Sequence, residues 1–373
     1  MVRMGLLWRL FVRPMMAVLP LGSETMHSLV MARIRLRCKY IPGYRRLLRM
    51  LFGSPSVHTE AFGLNFDNPV GLAAGMDKKG ENVANWEYLG FGWMEIGGVT
   101  LHGQDGNQKP RMFRSTKHNA LINRMGFNNP GSEIMAESLK IQMSKRWAGV
   151  PVGINLGKSK ITPNEEAERD YAGTMERLWD FADLFVVNVS SPNTPNLREL
   201  QSGSELDRIL TACNTVNKRK AEETGEKAKP LLVKVSPDLE NDQIRAVADT
   251  AIAQGCAGIV ATNTTLSRPA ADKVMNQTGG LSGKPLQERS TEVIHMLYAH
   301  CGSKLPIVGV GGISDANSAW EKIAAGACLL QLYSALVFEG PGVTRAINKG
   351  LNRKLAQHGY KHLSEAVGHA HRS

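Results

Sequence analysis

Short apolar runs alternate with amphipathic stretches along most of the chain. Eight of these runs have the length and β-branched content of buried strands, at residues 70–74, 93–97, 152–156, 185–189, 231–235, 258–262, 307–310 and 329–333. Most of the gaps between them contain a helix-like stretch, at residues 84–89, 133–145, 171–180, 205–222, 241–254, 291–300 and 316–325. Because near-continuous apolar strands separated by helices are typical of a parallel sheet, the pattern predicts an α/β fold.

The number of repeats narrows the fold further. Eight strand–helix units in roughly 290 residues are typical of a (β/α)8 TIM barrel. The alternative, a doubly wound open sheet, is expected to carry GxGxxG after its first strand, and the sequence GLAAG at 71–75 does not supply it. A small hairpin is predicted ahead of the barrel, at 58–68. We therefore predict a barrel domain at residues 54–373, preceded by a small N-terminal amphipathic helical extension at residues 1–53.

The extension differs from the barrel in charge. It contains ten Lys and Arg side chains and one acid, Glu24, and so carries +9 of the formal net charge of +11. Arg9 and Arg13 interrupt its apolar residues, so no run approaches the ~20 apolar residues of a transmembrane helix, and a signal peptide is not expected. A basic segment of this kind favours contact with an anionic membrane surface or with nucleic acid.

Helical periodicity predicts two short amphipathic helices in the extension. Ser23 is the expected N-cap of the second helix. Its apolar stripe consists of Met26, Leu29, Val30 and Ile34. We interpret the two helices as lying on a membrane without crossing it, and the alternative is a pair of helices that only packs on the barrel. Trp8 and Phe11 are not accompanied by a recognised nucleic-acid-binding motif, so a nucleic-acid partner is not expected.

The composition gives no sign of a metal site or a disulfide framework. The five cysteines are dispersed and form no CxxC pair, which is typical of reduced thiols in a cytosolic setting. The histidines form no HxH or HExxH pattern on the predicted rim of the barrel, and no Ser-His-Asp order is suggested. We therefore expect no bound metal.

Polar side chains recur where the predicted strands end. They are Asp77 and Lys78 after the first strand, Asn155, Asn188, Lys234, Thr262, Asn263 and Thr264 near the ends of later strands, and Tyr333 and Ser334 at the last. In a TIM barrel these ends meet at one rim, where active sites lie. Buried amides and lysines are costly unless they bond to a partner. For any one residue the alternative is a strand-end cap, but together they predict a planar ligand rich in hydrogen-bonding groups.

The stretch at 186–200 is the strongest single signal. An apolar strand leads directly into Asn188, Ser191 and Asn193. Pro192 and Pro195 each favour extended geometry in the preceding residue, so a stiff loop is predicted here. The alternative interpretation of this stretch is an ordinary surface turn.

Glycines follow the seventh predicted strand. The sequence VGVGGIS at 308–314 ends that strand, and Tyr333 and Ser334 end the next. Barrels bind phosphate at this position through backbone N–H groups. The sequence therefore predicts a phosphate site beside Gly311 and Gly312.

Several motifs resemble a known family. They are NRMGFNN at 123–129, SSPNTP at 190–195, ATNTT at 261–265, TGGLSG at 278–283 and VGGI at 310–313. Their order and sequence resemble dihydroorotate dehydrogenase of the membrane-associated, quinone-linked class 2, and the match covers about 70–334, with a weaker match in the extension. The resemblance implies an enzyme with one FMN per chain that oxidises (S)-dihydroorotate to orotate in de novo pyrimidine (UMP) synthesis. It passes hydride to FMN and electrons to a membrane quinone, its co-substrate.

The resemblance also implies roles for individual residues. Ser191 is the implied catalytic base, which takes the proton from carbon 5 of the substrate. Class 1 relatives hold a cysteine there, so Ser191 itself favours class 2. The implied substrate-binding residues are Lys78, Asn123, Arg124, Met125, Gly126, Phe127, Asn188, Asn193, Asn263 and Thr264. The implied FMN-binding residues are Ala74, Gly75, Gly98, Asn155, Asn188, Lys234, Thr262, Gly283, Gly312, Tyr333 and Ser334. Gly98 departs from the family, since many relatives carry a threonine at this position.

The extension receives a role by the same resemblance. His27 and Arg114 are implied to line a quinone tunnel, and the alternative for His27 is a surface helix residue. The enzyme is then expected to be peripheral, on the cytoplasmic face of the inner membrane. Two functions outside the family stay open on the residues alone. They are a barrel aldolase or isomerase in which Lys234 forms a Schiff base, and a nucleic-acid-binding protein with a basic arm.

Overall fold

The computed structural model describes residues 8–14, 22–145, 148–194, 196–201 and 203–372. The described strands are β1 (Thr59–Ala61), β2 (Leu64–Phe66), β3 (Val70–Leu72), β4 (Trp93–Val99), β5 (Met112–Ser115), β6 (Ala120–Asn123), β7 (Val152–Leu156), β8 (Leu184–Asn188), β9 (Leu231–Val235), β10 (Gly258–Ala261), β11 (Gly280–Gly283), β12 (Ile307–Val310) and β13 (Ala327–Leu332). The described α-helices are α1 (Ser23–Tyr40), α2 (Tyr44–Phe52), α3 (Ser132–Lys145), α4 (Ala167–Leu178), α5 (Gly203–Thr224), α6 (Asn241–Ala253), α7 (Gln287–Cys301), α8 (Ala316–Ala325), α9 (Ser334–Phe338), α10 (Val343–Gln357) and α11 (Leu363–Ala366).

Eight parallel strands close into a barrel. Their order around it is β10-β12-β13-β3-β4-β7-β8-β9, and each corresponds to one predicted apolar run. The predicted TIM barrel is therefore confirmed, and the hairpin expected at 58–68 is present as β1 and β2. The gap between β3 and β4 holds a 3-10 helix, Val83–Leu89, where a helix was expected.

Successive side chains of each barrel strand point alternately into the barrel and outward, and this divides the core into two layers. Leu184 and Val186 of β8 belong to the cluster inside the barrel, whereas Phe185 and Val187 pack outward against the helices. Phe66 from the hairpin meets the Trp93 ring edge-on, with 6.1 Å between ring centroids, and both side chains are fully buried. The interior is therefore filled with apolar side chains at the amino ends of the strands. The same alternation points Asn188 inward at the carboxyl end.

A second sheet covers part of the carboxyl-end rim. Strands β11, β6 and β5 form an antiparallel sheet of three, in which Asn123 pairs with Gly280 and with Met112. The sequence analysis did not anticipate this sheet. It brings Asn123 to the rim although Asn123 belongs to no barrel strand.

The start and the buried face of α1 in the extension differ from those predicted from the sequence. Gly22 precedes α1 and no side chain caps it, so the expected Ser23 N-cap is wrong. The apolar stripe is wrong in detail, because α1 buries Met31 and Cys38, whereas Leu29 and Val30 are 52% and 46% exposed. The buried face of α1 is decided by the barrel surface beneath it. The first expected helix falls in the segment before α1, of which residues 1–7 and 15–21 lie outside the described residues, and Trp8–Val12 form a π-helical turn.

A further helix, α2, was not expected. It buries Leu48 and Phe52, and Arg345 of α10 donates to the Met50 and Leu51 carbonyls at its end. No described helix is both long and apolar enough to span a bilayer.

Candidate active site

A cavity of about 1040 Å³, part of it open to solvent, lies at the carboxyl ends of the barrel strands. It is lined by Ser191, by nine of the ten implied substrate-binding residues and by all implied FMN-binding residues. The exception is Arg124. The convergence arises because parallel strands bring their carboxyl ends to one rim.

Arg124 faces away from the cavity. Its guanidinium donates to the Pro110 carbonyl at 2.9 Å and to Thr278 Oγ1 at 3.1 Å, and it lies over the Phe113 ring at 4.6 Å from the centroid. Its side chain therefore stabilises the small sheet. Only its neighbours in the NRMGF motif contribute to the cavity wall.

A chain of hydrogen-bonded amides crosses the cavity floor. Asn188 Nδ2 donates to Asn155 Oδ1 at 3.0 Å, and Asn263 Nδ2 donates to Asn188 Oδ1 at 3.2 Å and to Ser190 Oγ at 3.0 Å. Asn155 in turn donates to the carboxylate of Glu95 at 2.5 Å. Each amide thereby has a defined orientation.

The loop after β8 is held by Arg198. This side chain donates to the Ser190 carbonyl at 3.3 Å, to the Thr264 carbonyl at 3.3 Å and to Asp238 Oδ2 at 3.0 Å. These contacts tie the loop to the segments that follow β9 and β10. Pro195 lies outside the described residues, so the predicted stiff loop is described except at that position.

Within this loop Ser191 and Asn193 face the cavity. Ser191 Oγ accepts from the Asn193 backbone N–H at 3.3 Å, and Asn193 Nδ2 donates to Asn123 Oδ1 at 3.1 Å. The Asn193 carbonyl accepts from Asn107 at 3.2 Å. The loop is thus joined to the small sheet on the opposite side of the cavity.

Two lysines reach the cavity, Lys78 from the segment after β3 and Lys234 from β9. Burial lowers the pKa of Lys78 to about 8; the charge of Glu24 opposes this and that of Arg111 adds to it. Its ammonium donates to Asn128 Oδ1 at 2.9 Å. Lys234 is 6% exposed and has no hydrogen-bond or ion-pair partner among the described residues. A buried ammonium of this kind is a site for an anionic group of a ligand.

Glycines shape the predicted phosphate corner. Gly312 has φ of +73°, a conformation that side chains other than glycine rarely adopt, and a Cβ there would overlap Gln287 of α7. Gly283 has φ of +101°, and its Cβ would overlap the Asn119 carbonyl. Both positions therefore require glycine, because neighbouring protein atoms fill the space of a side chain, and both line the cavity.

Gly98 lines the cavity beside Phe127. A Cβ at Gly98 would lie 2.5 Å from Phe127 Cε1 and 2.9 Å from Asn155 Oδ1. The threonine of many relatives therefore has no room here, because the Phe127 ring occupies its place.

Neither His27 nor Arg114 belongs to the cavity lining. His27 is on α1, and burial followed by the charge of Lys78 lowers its pKa to about 4. Arg114 is on β5, against which α1 packs, and burial lowers its pKa. Burial also raises the pKa of Tyr333, a cavity residue, to about 12. The His27 side chain is half-buried on α1, so it is partly covered by its neighbours.

Two cavity-floor residues were missed by the sequence analysis. Glu95 is fully buried on β4, and Gln331 is 1% exposed on β13 and lines the cavity. Both are polar side chains inside predicted apolar runs. The same signal that selected Lys234 would have selected them.

The family comparison agrees with this geometry. The family model for dihydroorotate dehydrogenase matches residues 56–355. The chain belongs to this family. The predicted resemblance is thereby confirmed.

Curated relatives and solved structures extend the comparison. The chain is 49% identical to the dihydroorotate dehydrogenase (quinone) of Gloeobacter violaceus, over 86% of this chain and 88% of the relative. It is 48% identical to that of Anaeromyxobacter dehalogenans, over 85% and 86%. The crystal structure of the Eimeria tenella dihydroorotate dehydrogenase in complex with ferulenol has a TM-score of 0.88 and 34% identity, and covers 97% of this chain and 100% of its own.

Proposed function

We propose that this protein is a quinone-linked dihydroorotate dehydrogenase that oxidises (S)-dihydroorotate to orotate in pyrimidine synthesis. The observation that carries the proposal is the convergence of Ser191, Lys78 and the amides of Asn188, Asn193 and Asn263 on one cavity. Dihydroorotate is a carboxylated ring with several amide groups, and its oxidised product orotate is planar. A lysine and several amides are complementary to such a molecule.

The cavity residues also fit FMN. The glycine turn at Gly311 and Gly312 lines the cavity, and successive backbone N–H groups in such a turn can bind a phosphate. Lys234 offers a buried ammonium without a protein acceptor, and Gln331 offers a buried carbonyl oxygen without a donor among the described residues. We propose that Ala74, Gly75, Gly98, Asn155, Asn188, Lys234, Thr262, Gly283, Gly312, Tyr333 and Ser334 hold this cofactor. When bound, FMN supplies the acceptor for the hydride that leaves carbon 6 of the substrate.

The chain's own residues then bind the substrate and move a proton. Lys78 binds the substrate carboxylate, and the asparagine amides orient the ring. Ser191 Oγ takes the proton from carbon 5. Because serine is a weak base in its free form, it depends on the polarised substrate and on its position in the loop. Arg198 holds that loop over the cavity and helps to exclude water.

We further propose that residues 1–53 form a membrane segment and residues 54–373 the catalytic domain. The exposed large apolar side chains of the described extension are Leu10, Phe11, Leu29, Val30, Leu36, Tyr40, Ile41, Leu47 and Met50. Exposed Arg33, Lys39 and Arg46 share this surface. Apolar and basic side chains together favour peripheral binding to anionic lipid, at the cytoplasmic face of the inner membrane. His27 and Arg114 would then line the route of the quinone toward Tyr333.

The visible spectrum of the purified protein tests the proposal. We expect a yellow protein whose flavin absorbance is bleached by dihydroorotate without oxygen and returns on addition of a quinone. A colourless protein that forms a borohydride-stable adduct at Lys234 would instead support the aldolase alternative.

A further inference from the structure

Glu95 is a carboxylate enclosed within the barrel. It lies on β4 and is fully buried. Its two oxygens accept from two different amides, Asn155 Nδ2 at 2.5 Å and Gln331 Nε2. No ion pair to Glu95 is present in the described part of the chain. The reaction residues proposed above do not include it.

Carboxylate oxygens that accept from two amides set the direction of those amides. A carboxylate can only accept, so Asn155 must turn its Nδ2 toward Glu95 and its Oδ1 toward Asn188. Asn188 then donates to Asn155 and accepts from Asn263. Without this fixed end, the Asn155 amide can rotate by a half-turn with little change in shape. The oxygens of Asn188 and Asn263 also accept from the backbone N–H groups of Ser190 and Thr264. Glu95 thereby fixes the Asn155 oxygen that accepts from Asn188 Nδ2, and so holds Asn188 in place from the cavity floor.

The same carboxylate determines the orientation of Gln331. Because Gln331 Nε2 donates to Glu95, its Oε1 is the free end of the amide. This oxygen is buried and has no donor among the described residues, and Gln331 lines the cavity. A buried acceptor without a donor is unfavourable, so a donor from a ligand is expected.

We infer that Glu95 is the positioning residue of the cavity floor, and that Gln331 Oε1 accepts from an N–H or hydroxyl group of the bound flavin. Glu95 acts through Asn155 on the substrate side and through Gln331 on the cofactor side. It touches neither ligand. The inference rests on the proposed function, because it takes FMN and orotate as the two ligands.

The isosteric variant Glu95→Gln tests the positioning role. A glutamine preserves volume but can donate as well as accept, so the amide directions are no longer fixed. In the FMN-loaded protein we expect the dissociation constant for orotate, measured from the flavin absorbance, to rise about ten-fold or more, the effect of misplacing one buried hydrogen bond. The melting temperature is expected to stay close to that of Asp183→Asn.

Asp183→Asn is the matched control. Asp183 also accepts from protein N–H, Val152 at 2.7 Å, but it lies at the amino end of the barrel strands. We expect it to leave orotate binding unchanged. An unchanged orotate constant in Glu95→Gln would overturn the positioning role. So would an unfolded Glu95→Gln protein beside a folded Asp183→Asn protein, because the inference requires the isosteric amide to preserve the fold.

Gln331→Met tests the acceptor. Methionine keeps the length of the side chain and removes its carbonyl oxygen. We expect FMN fluorescence to appear about ten-fold faster on dilution of the holoenzyme, with the orotate constant of the loaded fraction nearly unchanged. An unchanged rate of FMN release would show that Gln331 binds no ligand. A wild-type protein that retains no FMN would defeat the proposed function itself, before any variant is compared.

Discussion

Asn188 and Lys234 lie directly opposite each other on β8 and β9, and both line the cavity. Asn188 is fixed by Asn155, whereas the Lys234 ammonium has no acceptor among the described residues. The Asn188 side chain is therefore held in a defined orientation by the protein. Lys234 offers a positive charge to a ligand.

This relationship predicts the effect of Lys234→Ala. Loss of the ammonium removes the charge that stabilises a reduced, anionic flavin ring. We expect weaker FMN retention or a lower midpoint potential of the bound flavin, measured by spectroelectrochemical titration. A fully loaded variant with an unchanged potential would contradict this role for Lys234.

Ser191→Ala tests the proposed base. The substitution removes the hydroxyl that accepts from the Asn193 N–H and leaves the amide chain intact. We expect FMN to stay bound while flavin reduction by dihydroorotate slows about 10²-fold or more, the usual scale for a general base. Single-turnover stopped-flow absorbance measures this rate. If the rate did not change, another group would have to take the proton.

The pKa of Lys78 predicts the pH dependence of substrate capture. Burial lowers this pKa to about 8, and only the protonated ammonium binds a carboxylate. Because kcat/KM reports groups of the free enzyme, we expect the contribution of Lys78 to it to be lost as pH rises through about 8. An arginine stays protonated to higher pH, so we expect kcat/KM of Lys78→Arg not to fall as pH rises through about 8. If kcat/KM fell in the same way at alkaline pH in both proteins, a group other than Lys78 would be responsible for the fall.

The close contact between Gly98 and Phe127 predicts that position 98 does not tolerate a side chain. A Cβ at Gly98 would lie 2.5 Å from the Phe127 ring, whereas a Cβ at Gly203 would meet nothing within 4 Å. We expect Gly98→Ala to weaken FMN binding or to lower the melting temperature, because the rigid ring must move. Gly203→Ala is the control and is expected to change neither. Equal behaviour of the two variants would mean that Phe127 adjusts freely.

The exposed bases of the extension predict salt-sensitive membrane binding. Each Lys or Arg near anionic lipid contributes about 1 kcal/mol, so replacing Arg33, Lys39 and Arg46 by Gln is expected to weaken vesicle binding about 10²-fold. Reduction of a long-tailed quinone in vesicles is expected to fall with it, while reduction of a short, water-soluble quinone is retained.

Three exposed lysines of the barrel provide the control for this experiment. Replacement of Lys227, Lys304 and Lys361 by Gln removes the same charge from other surfaces and is expected to have little effect. Equal loss of vesicle binding in both triple variants would indicate that net charge alone is responsible. In that case the extension would not be the membrane-binding surface.

The sequence by itself determined the barrel and most of the cavity lining. Eight apolar runs separated by helices leave few other folds, and a parallel barrel brings the residues at its strand ends together whatever the details of packing. For this reason Ser191, Asn188 and Lys234 were identified before any contact was known.

Only the tertiary structure decided how these side chains are oriented. Glu95 and Gln331 are 236 positions apart and meet only because β13 and β3 close the barrel beside β4. Arg124 belongs to the same motif as Met125 yet faces away, because the small sheet offers it acceptors. The buried face of α1 likewise depends on the barrel surface beneath it. Amide direction and helix docking depend on contacts between distant segments, which periodicity along one segment does not contain.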